Sequence, residues 1–160
     1  MRRKDREVID IQEILQIVEK SKTLHLGLFD GDYPYIVPLH YGYEYADDKH
    51  ELSFYMHGAK KGHKLDLIQK NPNVCIELEC NIELVSGRDN PCEYGSTYAS
   101  VIGKGHAEIV EDVQDKIKGL KLLMKNQTGK EFNIDKRMSS SVAVIKVSLY
   151  DFTAKSRPKA

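Results

Sequence analysis

Apolar positions follow two rhythms along the chain. Ile11, Ile14, Leu15 and Val18 recur at helical spacing behind Asp10 and Glu13, a capping-box-like start, and predict a first helix over 10–20. The period then drops to two. Leu24, Leu26 and Leu28 alternate with polar or small residues across 22–29, Asp30-Gly31-Asp32 signals a hairpin turn, and 35–45 reads as the returning strand. A turn at 46–50 leads into 51–57, so these three runs form an antiparallel meander. A short helix beginning near Leu65 ends at Asn71-Pro72, where proline forbids its continuation. Val74, Ile76, Leu78, Cys80, Ile82 and Leu84 then face one way, with Cys75, Glu77, Glu79, Asn81 and Glu83 on the other, which predicts a strand with one dry side and one wet side. A polar loop, 86–96, precedes a long strand over 97–110. Gly103 and Gly105 within it mark a bulge or a close backbone approach. Asp112 caps a helix with Val113, Ile117, Leu120 and Met124 among its apolar positions, 142–149 is the last strand, and the basic tail 154–160 is expected to be exposed.

The order α–β–β–β–α–β–β–α–β lacks the strict alternation of a doubly wound sheet and favours a mainly antiparallel barrel decorated by helices. With 160 residues and no repeat or linker, the chain reads as one domain, 1–160. Its 24 Lys+Arg and 24 Asp+Glu cancel, leaving no field to recruit nucleic acid or an acidic membrane. No apolar run reaches the ~20 residues of a membrane span, and the charged start has no apolar stretch behind it to make a signal peptide. Cys75, Cys80 and Cys92 are odd in number and lack C-x-x-C spacing, which fits reduced thiols in a cytoplasmic protein. Cys75 and Cys80 fall on opposite strand faces, which argues against a catalytic pair.

Chemistry concentrates in Met56-His57-Gly58-Ala59-Lys60-Lys61-Gly62-His63-Lys64, between a strand-like and a helix-like run. Two glycines permit a sharp turn and close approach of backbone amides. Three lysines add positive charge, and a helix start adds unpaired N–H groups and the positive end of the macrodipole. This is a phosphate cradle by chemistry, although it matches neither the P-loop nor the G-x-G-x-x-G fingerprint. A solvated lysine-rich turn fits the same residues. His57 and His63 lack the helical spacing of a shared metal site, and no metal is assigned. No Ser/His/Asp triad or paired carboxylates are visible, and no catalytic residue is assigned.

Four segments in order carry a resemblance: Met1-Arg2-Arg3-Lys4-Asp5-Arg6, Pro34-Tyr35-x-Val37-Pro38-Leu39, Tyr55-x-His57-Gly58-Ala59-x-x-Gly62-x-Lys64, and Tyr98-x-Ser100-Val101-Ile102-Gly103-x-Gly105-x-Ala107-Glu108. Together they resemble the nitroimidazole-resistance proteins of the pyridoxamine phosphate oxidase-like, flavin-binding split-barrel superfamily. The resemblance implies a six-stranded antiparallel split β-barrel with flanking α-helices, and a homodimer with one flavin per subunit where the subunits meet. It implies that Val37, Pro38, Leu39, His40 and Tyr41 run beside the isoalloxazine ring. Met56, His57, Gly58, Ala59, Gly62, His63 and Lys64 would hold the ribityl phosphate, and Ser100 and Val101 would line the same pocket.

Lys64 is the expected phosphate ligand, a flexible cation near a helix start. His40 is a candidate donor to the flavin or a substrate, while His25, His50 and His106 offer nothing beyond structure. The expected function is a flavin-dependent oxidoreductase, resembling nitroimidazole reductases, that passes electrons through FMN, or FAD, to a small acceptor such as a nitro compound. The alternatives are a flavin-binding or redox-sensing module without turnover, and a haem-binding split barrel with His25, His40, His57 or His106 as axial ligand.

Overall fold

A computed structural model describes residues 3–158. Met1 and Arg2 of the family-like start, and Lys159 and Ala160 of the tail, lie outside the described residues. A short strand β1 (Glu7–Val8) precedes helix α1 (Ile11–Lys20), whose cap Asp10 accepts from Gln12 N and Glu13 N. Strands β2 (Thr23–Asp30) and β3 (Tyr33–His40) form the expected hairpin, turning at Gly31 with φ of 60°. β4 (Gly42–Ala46), β5 (Glu51–Gly58), α2 (His63–Lys70), β6 (Asn73–Val85) and β7 (Gly95–Ile109) follow. The chain ends in α3 (Val113–Thr128), a short α4 (Lys136–Ser140) and β8 (Ala143–Arg157).

All pairings are antiparallel, in the order β3-β2-β6-β7-β8-β5-β4, with β1 added to β8. The outermost strands β3 and β4 are consecutive in the chain and separated by Tyr41 alone, so the sheet curls round into a split barrel. The sheet therefore has eight strands rather than six. One of the two extra strands is β1. The other arises because the run read as 35–45 breaks at Tyr41. This side chain is fully buried, and its hydroxyl shares its proton between Val18 O at 2.6 Å and Ser21 O at 2.8 Å. The Tyr41 carbonyl accepts from Asn126 Nδ2 and Gln127 Nε2 of α3 instead of from a neighbouring strand, which interrupts the ladder at this residue.

Leu24, Leu26, Phe54, Met56, Ile76, Leu78, Val101, Ile145 and Leu149 fill the barrel. Ile14, Ile17 and Val18 of α1 and Leu65, Leu67 and Ile68 of α2 join the same core. Helix α3 packs outside, on β4 and β5, and its buried contacts centre on Gly119 and Leu123 rather than on the four positions read from periodicity. A Cβ on Gly42 would meet the backbone of Leu122 and Leu123 at 2.1–2.6 Å, and one on Gly119 would meet Tyr55 Cδ1 at 2.5 Å.

Two more expectations are corrected. The alternation of β6 holds to Cys80 and then fails, because the register shifts between Cys80 and Glu83 around Asn81, which has φ of 57°. Ile82 and Leu84 consequently stand in solvent. Residues 154–157 of the supposed exposed tail are instead the end of β8, with Ala154 buried between Val101 and Val8. Its polar residues alternate with inward ones, and that pattern resembles a tail when the partner strands are unknown. The expected irregularity of β7 is present as a register shift between Lys104 and Gly105. No helix among the described residues is long and apolar enough to cross a membrane.

Candidate functional site

β5 delivers the chain to Gly58, and Ala59, Lys60 and Lys61 turn it into α2 through Gly62, whose φ of 149° suits glycine. Gly62 caps α2 without a side-chain hydrogen bond. The amides of His63 and Lys64 have no acceptor among the described residues, because Leu65 N and Asp66 N take the Gly62 carbonyl. Lys64 is half-buried and folds back toward the turn. A Cβ on Gly58 would lie 3.1 Å from its Nζ and 3.2 Å from its Cε. No carboxylate among the described residues pairs with Lys64. An unneutralised ammonium, two free helix amides and a glycine that leaves room beside them are together suited to receive an anion.

The cradle is fixed to the β2–β3 hairpin. His63 Nε2 lies 2.6 Å from Asp30 Oδ2, and its ring meets Tyr35 edge-on with centroids 5.0 Å apart. Tyr35, Val37 and Leu39 share one half-buried side of β3, so the side that carries the expected ring-edge residues begins beside the cradle. A cleft of about 730 Å³ adjoins it, lined among others by Lys60, Lys61, Gly62, Leu65, Val142 and Ala143.

The other expected residues divide. Val37 and Leu39 are half-buried, while Pro38 and His40 are exposed; His40 Nδ1 lies 3.0 Å from Lys22 O. His57 and Ala59 are exposed at the end of β5 and in the turn. Tyr41, Met56 and Val101 send their side chains into the core. Burial, with Tyr43 and Cys80 nearby, pushes the Tyr41 hydroxyl far above the usual tyrosine range. Ser100 stands on the outward side of β7, opposite Glu79 and Lys155, nine residues from Ile109 at the cradle end. That is roughly 30 Å of extended strand. Within this chain, then, β3 and the turn before α2 are neighbours and Ser100 is remote from that turn.

Two features were missed in the sequence. His25 Nδ1 and Glu77 Oε2 lie 3.0 Å apart across the β2–β6 pair. An apolar groove of about 690 Å³ lies on the same side of the sheet, with Gly27, Phe29, Pro34, Cys75 and Tyr150 in its walls. Alternation does point His25 and Glu77 outward, but only the non-local pairing of β2 with β6 brings them together. Among the described residues no group of three His, Cys, Asp or Glu side chains is arranged to hold a metal ion.

A family model described as pyridoxamine 5'-phosphate oxidase matches residues 10–156. No curated protein matches the chain. Among solved structures, a candidate 5-nitroimidazole antibiotic resistance protein from Bacteroides thetaiotaomicron is 29% identical, with a TM-score of 0.78 over 94% of this chain and 86% of its own. A flavocytochrome from Azotobacter vinelandii is 16% identical, with a TM-score of 0.77 over 99% of this chain and 72% of its own. A FAD and haem binding protein from Mycobacterium smegmatis is 12% identical, with a TM-score of 0.78 over 96% and 74%. The last two likenesses are of fold alone.

Proposed function

The chain belongs to the pyridoxamine 5'-phosphate oxidase family, and on that footing we propose that it is a flavin-dependent oxidoreductase. Its cofactor is FMN, with FAD as the alternative, and its acceptor is a small molecule such as a nitro compound. The observation that carries this reading is Lys64, whose ammonium sits over Gly58 without a carboxylate partner and beside two free helix amides. A cation left unneutralised at a helix start suits a phosphate dianion. The flavin supplies two-electron chemistry when bound. The protein's share is to hold the phosphate at Gly58, Gly62, His63 and Lys64 and to offer β3 to the ring. As a strand at the end of the sheet, β3 has backbone groups free along one edge. The nitro class is supported by the likeness to the Bacteroides thetaiotaomicron protein.

The functional unit is a homodimer in the cytoplasm, with flavin between the subunits. Ser100 is too far along β7 to reach its own cradle, so in this reading it serves the pocket of the partner.

The test is flavin uptake. Purified protein titrated with FMN should show flavin absorbance and quenched fluorescence at one flavin per chain, and Lys64→Ala should weaken binding at least tenfold, about 1.4 kcal/mol. A wild-type protein that takes up neither FMN nor FAD would end the proposal.

A further inference from the structure

His25 and Glu77 form a cross-strand histidine–carboxylate pair on the outward side of the sheet, with side chains 41% and 31% exposed. Glu77 occupies Nδ1 of the ring at 3.0 Å, and Nε2 has no partner among the described residues. One nitrogen pinned and the other open is the arrangement of a proton donor. The pair also flanks β3, the strand that the proposed function offers to the ring. His25 is the direct cross-strand neighbour of Pro38 on β3, with Cα atoms about 5 Å apart by antiparallel geometry. On the other flank Glu77 faces Ile102, which lines a cavity of about 210 Å³ with Ser100, Thr153 and Lys155.

The charged and titratable groups on this side include Cys75 and Glu79 on β6, Lys104 and His106 on β7, Asp151 and Lys155 on β8, and His40 on β3, the last held by Lys22 O. Burial and Glu79 push Glu77 above the usual carboxylate range, against the pull of His25. Of the other five histidines only His63 is also held by a carboxylate with its second ring nitrogen open, and it stands at the phosphate end of the proposed site rather than along the ring strand. His40 and His50 spend Nδ1 on a backbone carbonyl and on Tyr45, His63 is tied to Asp30 at the cradle, and His57 and His106 have no carboxylate.

We propose that His25 delivers the proton that accompanies acceptor reduction, with Glu77 as the positioning residue that orients its ring. This rests on the flavin-oxidoreductase reading above. For a nitro acceptor, a hydride from the reduced flavin and one proton from His25 convert the nitro group to nitroso. The flavin is oxidised by two electrons, an N–O bond breaks, and the oxygen leaves as water. The imidazole then recovers its proton from solvent.

The test uses FMN-loaded protein, reduced with dithionite and mixed anaerobically with a nitroaromatic, with wild type compared to His25→Gln, His25→Ala and Glu77→Gln. Flavin should stay bound in all of them, acceptor reduction should slow by about 10–100-fold in both His25 variants, and free imidazole should restore the rate of His25→Ala. A separate readout needs no cofactor: nitrogen NMR of the flavin-free protein should show the His25 proton on Nδ1, and Glu77→Gln should redistribute it. Unchanged acceptor reduction in His25→Gln overturns the inference alone. A slower rate without imidazole rescue, or a proton resident on Nε2 in the neutral ring, also overturns it, leaving the pair a structural one. A wild-type protein that binds no flavin overturns the inference and the function together.

Discussion

In the proposed site Gly58 and Lys64 divide a single job between them, which makes the glycine separable from the fold. A methyl group on Gly58 would meet only the flexible end of Lys64, at 3.1–3.2 Å. Gly58→Ala should therefore fold normally, within ~0.5 kcal/mol of wild type by urea denaturation. The displaced ammonium should weaken FMN binding several-fold in the same titration. Equal loss of stability and affinity would mean that Gly58 serves the fold instead. Glu51 illustrates the opposite, a charge committed to structure. Burial pushes its carboxyl up, but the hydroxyls of Ser148, Ser53 and Tyr150 and the ammonium of Lys146 outweigh burial and bring it down to about 2. Its folded value lies below the ordinary 4.5, so its contribution to stability is complete above pH 4.5 and is lost as pH falls toward about 2. That contribution is at most ~3 kcal/mol for a side chain this well covered. Glu51→Gln should be less stable at neutral pH and should show a flatter decline through this acid range. A variant that declines as steeply as wild type would shift the credit to other carboxylates.

Among the elements, α3 shows best why part of the architecture is hidden in a one-dimensional pattern. Its apolar positions suggest an ordinary amphipathic stripe, yet it docks through absence of side chains, Gly119 against Tyr55 and Gly42 of β4 against the Leu122–Leu123 backbone. Gly42→Ala places a carbon 2.1 Å from a backbone atom that cannot rotate aside, so α3 must shift as a body. A loss of about 2–4 kcal/mol in thermal or urea unfolding is expected, at the upper end of overpacking penalties. A loss below ~1 kcal/mol would show that α3 slides without cost. The same blindness explains the other departures. Alternation in β6 reads as one strand through Leu84, because nothing in composition reveals that Asn81 adopts a left-handed conformation and turns Ile82 and Leu84 outward. Local signals were enough for the Asp10 and Asp112 caps, the Gly31 turn, and the glycine-flanked start of α2, since each depends on neighbours a few residues away. The turn that carries Gly58, Gly62 and Lys64 was legible for that reason. The His25–Glu77 pair was not, because its members are brought together by a strand pairing that no local signal encodes.

At the scale of the whole molecule, the outward side of the sheet remains to be accounted for. Phe29, Ile36, Ile102 and Tyr150 are each about half exposed or more, at 62%, 59%, 49% and 60%. They lie on β2, β3, β7 and β8, whereas α1 and α2 contribute to the barrel core and α3 covers β4 and β5. Large apolar groups gathered on one uncovered side mark an association surface. A second copy is the partner that the proposed function calls for, and it would bring a remote Ser100 toward a neighbouring cradle. Sedimentation velocity at micromolar concentration should give a dimer. Ile102→Asp, which places a charge at the centre of this side without touching the core, should give a monomer with an unchanged circular dichroism spectrum. Because the proposed flavin lies between subunits, that monomer should also bind FMN at least tenfold more weakly, although Lys64 and Gly58 are intact. A monomer that keeps full affinity would confine the flavin to one chain and leave the apolar side to some other contact. A variant that remains dimeric would move the interface elsewhere on the barrel.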